Sequence, residues 1–441
     1  MFSIPHDLYL QAMRGVYSLL MFVAIALGSY GQADEYLGHP VLRFSDQVYR
    51  DDIATVQVYP EDNKLSAPII ELNSGMSVQV NFDVFSDQIE DLRYHLVHCD
   101  AQWNPTDLEP NEYLTGFNEQ QISDVEYSFN TRKDFIHYRF RFPNDMMKVR
   151  YSGNYLVVVY ADNDVQNLVL SRRVIIYENL VAVNASAHAS TVIAHRNTHQ
   201  EVDLDILPGL FDIRFPNRDL HVSILQNWDW TRAITDLKPR FVKTDELDYD
   251  YMGVNEFLAG NEYRDFDTKS QDYLSMEIEK MTWNGPGDIV VYLKGDLPQN
   301  TKSYSTRGDI DGRFYIRNDR TDDPDLEADY HTTLFRLIAP ESPGKSIFIT
   351  GQFSDWRCLP KYEMHWDSAL ACYTGEATFK QGFYNYRYES VSAFDKVPTM
   401  MDYEGSYFQT ENEYNLIVYN YDLAGGYDRV IAYQLLNTAR P

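Results

Sequence analysis

The sequence predicts an all-β fold made of tandem β-sandwich domains, and three observations carry that expectation. The 441 residues include 34 Tyr, 23 Phe and 6 Trp. Apolar and polar residues alternate at period two in segment after segment. Windows rich in Ala, Leu and Lys, which would favour long helices, are almost absent. Aromatic and β-branched side chains fit a pleated, half-buried surface, and this length leaves room for about three domains of ordinary size.

The N-terminus reads as an address. Arg14 precedes the apolar run Val16 to Leu27, and Gly28, Ser29 and Gly31 supply small residues before Asp34. That pattern predicts a signal peptide over residues 1–33, with Met13 as a natural start. The run is too short for a membrane-spanning helix, and no Cys stands near the cleavage region to take a lipid anchor. The expected mature chain is exported and does not insert in the membrane.

The first domain, residues 34–180, opens on Met76, Val78, Val80, Phe82 and Val84 alternating with Ser77, Gln79, Asn81 and Asp83. Ile136, Tyr138, Phe140 and Phe142 repeat the pattern, and Tyr155 to Tyr160 and Val174 to Tyr177 add short apolar runs. Residues 180–190 are small and polar and read as a linker. The second domain, 181–325, shows Val202, Leu204 and Ile206, then Leu220, Val222 and Ile224. Its middle, Thr231 to Asp272, is poorly periodic and reads as a long surface excursion, which is where contacts are often carried. Strands resume at Leu274 to Ile278, Ile289 to Leu293 and Phe314 to Ile316. The acidic run Asp319 to Asp329 reads as a second linker.

The third domain, 326–441, has its own signature: Ile347 to Phe353 leads into GQFSDW, and Tyr384, Tyr386 and Tyr388 alternate with Asn385, Arg387 and Glu389. This spacing resembles the early-set, immunoglobulin-like modules of glycogen-binding and starch-branching proteins. The resemblance raises a glycan-binding role as an alternative, with Trp356 and Trp366 as the residues to watch.

Charge excludes some partners. With 66 acidic and 38 basic residues the formal net charge is −28, which disfavours nucleic acid and anionic membrane surfaces. The three cysteines, Cys99, Cys358 and Cys372, allow one disulfide at most; Cys358 with Cys372 is the nearer pair, and three separate thiols is the favoured reading.

Several apparent motifs give way to plainer readings. In APESPGKS, Ala339 to Ser346, two prolines remove amide donors from a would-be phosphate loop, and strand rather than helix follows. His188, His195 and His199 are expected to sit in a loop entering a strand, where their spacing does not converge on a metal. Asp309, Asp311 and the acidic run to Asp325 lack the closing Glu of a calcium loop. Arg307 to Asp309 spells an adhesion tripeptide, which recurs by chance. No G-x-S-x-G, H-E-x-x-H or paired-carboxylate signature is present, so no catalytic, cofactor-binding or metal residue is assigned and no enzyme activity is expected.

The remaining motifs occur in order: VHCDAQWNPTDLEPNEYLTGF (Val97 to Phe117), NTRKDFIHYRFRFPN (Asn130 to Asn144), SGNY (Ser152 to Tyr155), QNWDW through LKPRF (Gln226 to Phe241), LDYD (Leu247 to Asp250) and AGNEYRDFD (Ala259 to Asp267). Together they make the chain resemble the plug proteins of the type IX secretion system of Bacteroidetes. The resemblance implies a periplasmic protein that docks on a giant outer-membrane β-barrel translocon and seals it, with no small-molecule substrate. From their place in these motifs, Trp103, Tyr113, Phe117, Trp228, Trp230, Asn261, Glu262 and Arg264 are the expected partner-binding residues.

Overall fold

The computed structural model describes residues 40–285 and 288–438; the signal-peptide segment lies outside the described residues. Nearly all regular structure is β, arranged as three units.

In the first unit, one sheet runs in the order Gln47–Val48, Leu168–Tyr177, Gly153–Ala161, Leu92–Cys99, Glu119–Gln121, with Ile69–Glu71 added in parallel to Leu168–Tyr177. The facing sheet runs Ile53–Pro60, Val78–Val84, Ile136–Phe142, Asp124–Tyr127. The alternation seen in sequence sets the register: Val78, Val80, Phe82 and Val84 stand opposite Phe142, Phe140, Tyr138 and Ile136. These residues share one core with Tyr155, Val157 and Val159 of the facing sheet. The intervening Leu156 and Val158 enter a different core, so Gly153–Ala161 is buried on both faces, and its continuous apolar run follows from that.

The second unit packs the sheet of Ala182–Ala189, His199–Leu207, Leu247–Asp248 and Phe241–Val242, with Glu256–Leu258 alongside His199–Leu207. Its partner sheet runs Ile234–Leu237, Leu220–Gln226, Glu413–Asp422, Tyr427–Asn437. Two sequence expectations are corrected here. Within 180–190, expected as a linker, Ala182–Ala189 is a strand: Val183, Ala185 and Ala187 face the core, but side chains this small give a weak hydrophobic signal. The C-terminal hairpin, expected in the third domain, belongs to this one. Leu416 and Val418 fill its core while Ile417, Tyr419 and Val430 fill the core shared with the first unit.

The third unit is a ten-stranded sheet folded over a single core. Eight of its strands run in the order Arg264–Asp267, Gly382–Ser392, Lys345–Thr350, Glu363–Asp367, Cys372–Lys380, Tyr330–Leu337, Ile289–Leu293, Ile278–Trp283, and Phe314–Ile316 and Pro398–Thr399 also pair with Gly382–Ser392. Strands from either side of residue 325 therefore share one sheet, so sheet membership does not follow the division at 325/326. The segment from Asp319 to Asp329, expected as a linker, connects two strands within this unit. Cys99, Cys358 and Cys372 are free thiols.

The first and third units meet through buried charge. Lys380 Nζ lies 2.7 Å from Asp83 Oδ2, with each side chain 1% exposed. Asp83 also accepts from His137 Nδ1 at 2.6 Å and from the Tyr330 hydroxyl at 2.6 Å.

Candidate functional site

The motif loops converge on the junction of the three units. After strand Leu92–Cys99, Asp100 turns the chain: its Oδ1 accepts the backbone N–H groups of Gln102 (2.9 Å) and Asn104 (2.8 Å). This puts Trp103 at φ +65° and drives its ring inward. Asn154 of SGNY donates to the Asp100 carbonyl at 2.8 Å and accepts from the Tyr419 hydroxyl at 3.0 Å, tying the first unit to the C-terminal hairpin. Gly153 is required beside it, because a Cβ there would stand 2.3 Å from His98 Nε2.

QNWDW makes the matching turn from the second unit. Asn227 and Trp228 take φ +53° and +60°, and Asp229 Oδ1 caps the turn at Thr231 N (2.8 Å). Trp230 lies edge-on to Trp103, with ring centroids 5.3 Å apart, and to Trp228 at 5.6 Å. The Arg173 guanidinium covers both Trp103 (4.9 Å) and Trp230 (4.6 Å). A cavity of about 170 Å³ lies beside this cluster, lined from all three units by residues that include Asp46, Arg172, Trp228, Trp230, Arg313 and Trp356.

A charge network binds the second unit to the third. Arg387 bridges Asp229 (3.2 Å) and Glu389 (2.6 Å), Arg232 reaches Glu389 at 2.9 Å, and Arg387 donates to the Tyr263 hydroxyl at 2.8 Å. Burial pushes the Glu389 carboxyl up, but the two guanidiniums outweigh it and hold it at about 2.

Of the expected partner-binding residues, Trp103, Tyr113, Trp228, Glu262 and Arg264 are buried, and Trp230 and Asn261 are half-buried. Tyr113 donates to the Leu96 carbonyl at 3.0 Å. Arg264 is held by Glu404 at 2.9 Å and Asp296 at 2.8 Å. Glu262 accepts from Tyr304 and from Glu411 N, while Asn261 donates to Gln299 at 3.0 Å. These seven are occupied by internal contacts. Phe117 differs: it is 61% exposed, and its N–H donates to the carbonyl of Met146, itself 54% exposed. Sequence reasoning missed Met146, which no motif marks; the long-range antiparallel pairing of Leu114–Gly116 with Met147–Val149 brings it beside Phe117.

Other sequence features resolve in the same way. Trp356 is buried and Trp366 packs edge-on to Tyr373 at 5.1 Å, so neither offers an open platform for a sugar. Tyr384, Tyr386 and Tyr388 are all in the core. Asp309 accepts the Tyr263 and Asp311 N–H groups and Arg307 pairs with Asp265, so the adhesion tripeptide is engaged internally. His195 and His199, expected not to converge, do meet: their rings stack at 4.4 Å.

The fold and this junction define a β-sandwich protein whose most distinctive residues lock three units together. The family model described as "Type 9 secretion system plug protein 1st domain" matches residues 53–178. A crystal structure of a hypothetical protein from Parabacteroides merdae ATCC 43184 is 31% identical, covers 90% of this chain and 100% of its own, and superposes with a TM-score of 0.86. No curated protein matches the chain at a significant level. Residues 53–178 belong to the type IX secretion system plug protein family as its first domain. Among the described residues no helix is long and apolar enough to cross a membrane.

Proposed function

We propose that the protein is a non-enzymatic plug that docks on the periplasmic side of the outer-membrane β-barrel translocon of type IX secretion and seals its pore when no substrate is passing. The observation that carries this reading is the three-unit junction of Trp103, Trp228, Trp230 and Arg173, in a chain whose first domain is of that family. It turns separate sandwiches into one body, as a seal across a wide polar opening needs. The net charge of −28 suits a protein that stays out of lipid. Phe117 and Met146 provide an exposed apolar contact on the rim of the first unit. Burial of Trp356 and of the tyrosine ladder weighs against the glycan-binding alternative.

The test is affinity isolation of the tagged protein from outer membranes, with the co-purifying barrel identified. A deletion strain is then assayed for entry of large dyes. Barrel recovery together with increased permeability supports the proposal; unchanged permeability with the barrel present and otherwise open refutes it.

A further inference from the structure

Away from the junction, on the sheet of the second unit, the segment 191–198 makes a tight turn into strand His199–Leu207. The Val192 carbonyl accepts from His195 N (2.9 Å), and the His195 carbonyl accepts from both Thr198 N (2.9 Å) and His199 N (2.9 Å). That last bond spans four residues, as in an α-helix, so the side chains of His195 and His199 project on one side one turn apart. Their rings stack with centroids 4.4 Å apart and an interplanar angle of 23°. Strand Glu256–Leu258 pairs antiparallel with His199–Leu207, in register His199 with Leu258 and Glu201 with Glu256, and so delivers the Glu256 carboxylate to the two imidazoles. Glu256 Oε1 lies 2.5 Å from His195 Nδ1.

We infer that His195, His199 and Glu256 form a binding site for a divalent transition-metal ion, zinc(II) by the chemistry of its donors. One ligand atom from each residue lies within 4.8 Å of the other two. A tetrahedral zinc at about 2.0–2.2 Å from each donor needs them roughly 3.4 Å apart, a closure that side-chain rotation supplies. Two imidazoles and one carboxylate leave a fourth position for water, and His195 at 43% exposure keeps that side open, whereas Glu256 at 9% forms the floor.

The supporting bonds are those expected around a metal ligand set. Ser190 Oγ donates to the other Glu256 oxygen at 2.6 Å, and Thr198 Oγ1 engages His199 Nδ1 at 2.8 Å, leaving Nε2 of that ring available. The turn itself is anchored: the Thr198 carbonyl accepts from Ala259 N (3.0 Å), and the Asn197 carbonyl accepts from Phe408 N (3.1 Å). A second group, His188, Glu201 and Asp203, lies on the same sheet with one member exposed, and serves as the control.

The test is calorimetric titration of the mature chain with zinc chloride at pH 7.5, followed by the visible spectrum of the cobalt(II)-loaded protein. The expected result is one equivalent bound, absorption bands of tetrahedral cobalt, and affinity reduced roughly tenfold to hundredfold or more in His199→Ala and Glu256→Gln. His188→Ala should bind as the parent does. Should His199→Ala lose its circular dichroism signature, His195→Gln, altered at the open side, replaces it in the comparison. No binding with zinc up to about 100 μM, binding unchanged in the three ligand variants, or loss in His188→Ala instead would each overturn the site and leave a histidine–glutamate ion pair.

Discussion

Replacing Lys380 by Met tests how the first and third units are held together. The ammonium pairs with Asp83 at 2.7 Å with both groups almost wholly buried, and it also lies 4.0 Å above the Phe135 ring. Methionine keeps the volume but leaves Asp83 ionised among His137 and Tyr330 with no cation of its own. Breaking one side of such a buried pair costs about 3–5 kcal/mol, whereas replacing both sides is far milder. Lys380→Met should therefore lose that amount at pH 7, and Asp83→Asn combined with Lys380→Met should recover much of it. The pH dependence has a definite sign. Burial raises the Asp83 carboxyl, but Lys380 and His137 outweigh it, so the folded value lies below 3.8. The contribution is complete above the unfolded value and is lost as pH falls through the folded one, so the deficit of Lys380→Met should shrink toward pH 3. Urea unfolding of the four-member mutant cycle gives the energies, with limited proteolysis reporting whether the two units separate before either unfolds. A single-mutant loss below about 1 kcal/mol, or a double mutant as unstable as the sum of the singles, would refute this account of the pair.

Other outcomes follow from the same geometry. Arg173→Ala, which uncovers the faces of Trp103 and Trp230, should cost about 1–2 kcal/mol and alter tryptophan fluorescence before global unfolding; an unchanged spectrum and midpoint would contradict the stacking. Phe117→Asp with Met146→Asp should reduce recovery of the translocon barrel without moving the melting temperature, since both side chains are exposed; undiminished recovery would remove this rim from the docking surface. Burial raises the carboxyls of Asp309 and Asp311 to about 6 and about 7, so the folded chain holds protons that the unfolded chain releases above 3.8. Stability from this pair should then fall as pH rises from about 4 to 7, and Asp311→Asn should flatten that slope in thermal melts across the range.

Strands were legible in the sequence wherever apolar and polar side chains take opposite faces. Val78 to Val84 and Ile136 to Phe142 alternate cleanly, and the observed register pairs them as that pattern requires. Domain membership was harder to read because it depends on non-local pairing. Nothing in Glu413 to Asn437 says locally that it returns to Leu220–Gln226 rather than staying beside Gly382–Ser392. The strand Ala182–Ala189 was hidden for a different reason: alanine and serine at inward and outward positions barely differ in hydropathy. His195 and His199 were read as a loop entering a strand, where their spacing would not converge, and the α-type bond from His199 to His195 changed which side chains face each other.

The motif residues show why local sequence marks do not by themselves tell an internal junction from a partner surface. Aromatic side chains in polar loops look like anchors for a partner, since hot spots are rich in Trp, Tyr and Arg. The same types serve equally where one unit of a chain packs on another, because the contact physics is identical and only covalent connectivity differs. Here the connectivity decides: Trp103 comes from the first unit, Trp228 and Trp230 from the second, and Arg387 of the third reaches Asp229 between those two tryptophans. Buried ion pairs of this kind add little net stability over apolar replacements but tolerate misalignment poorly, because a shift of either unit leaves a charge unpaired in a dry setting. Sandwiches joined by Asp83 with Lys380 and by Asp229 with Arg387 are thereby held in one relative orientation. Under the proposed function, a body that covers a pore would need that orientation fixed before docking, so that binding energy from a modest exposed contact such as Phe117 and Met146 is not consumed in ordering three loose units.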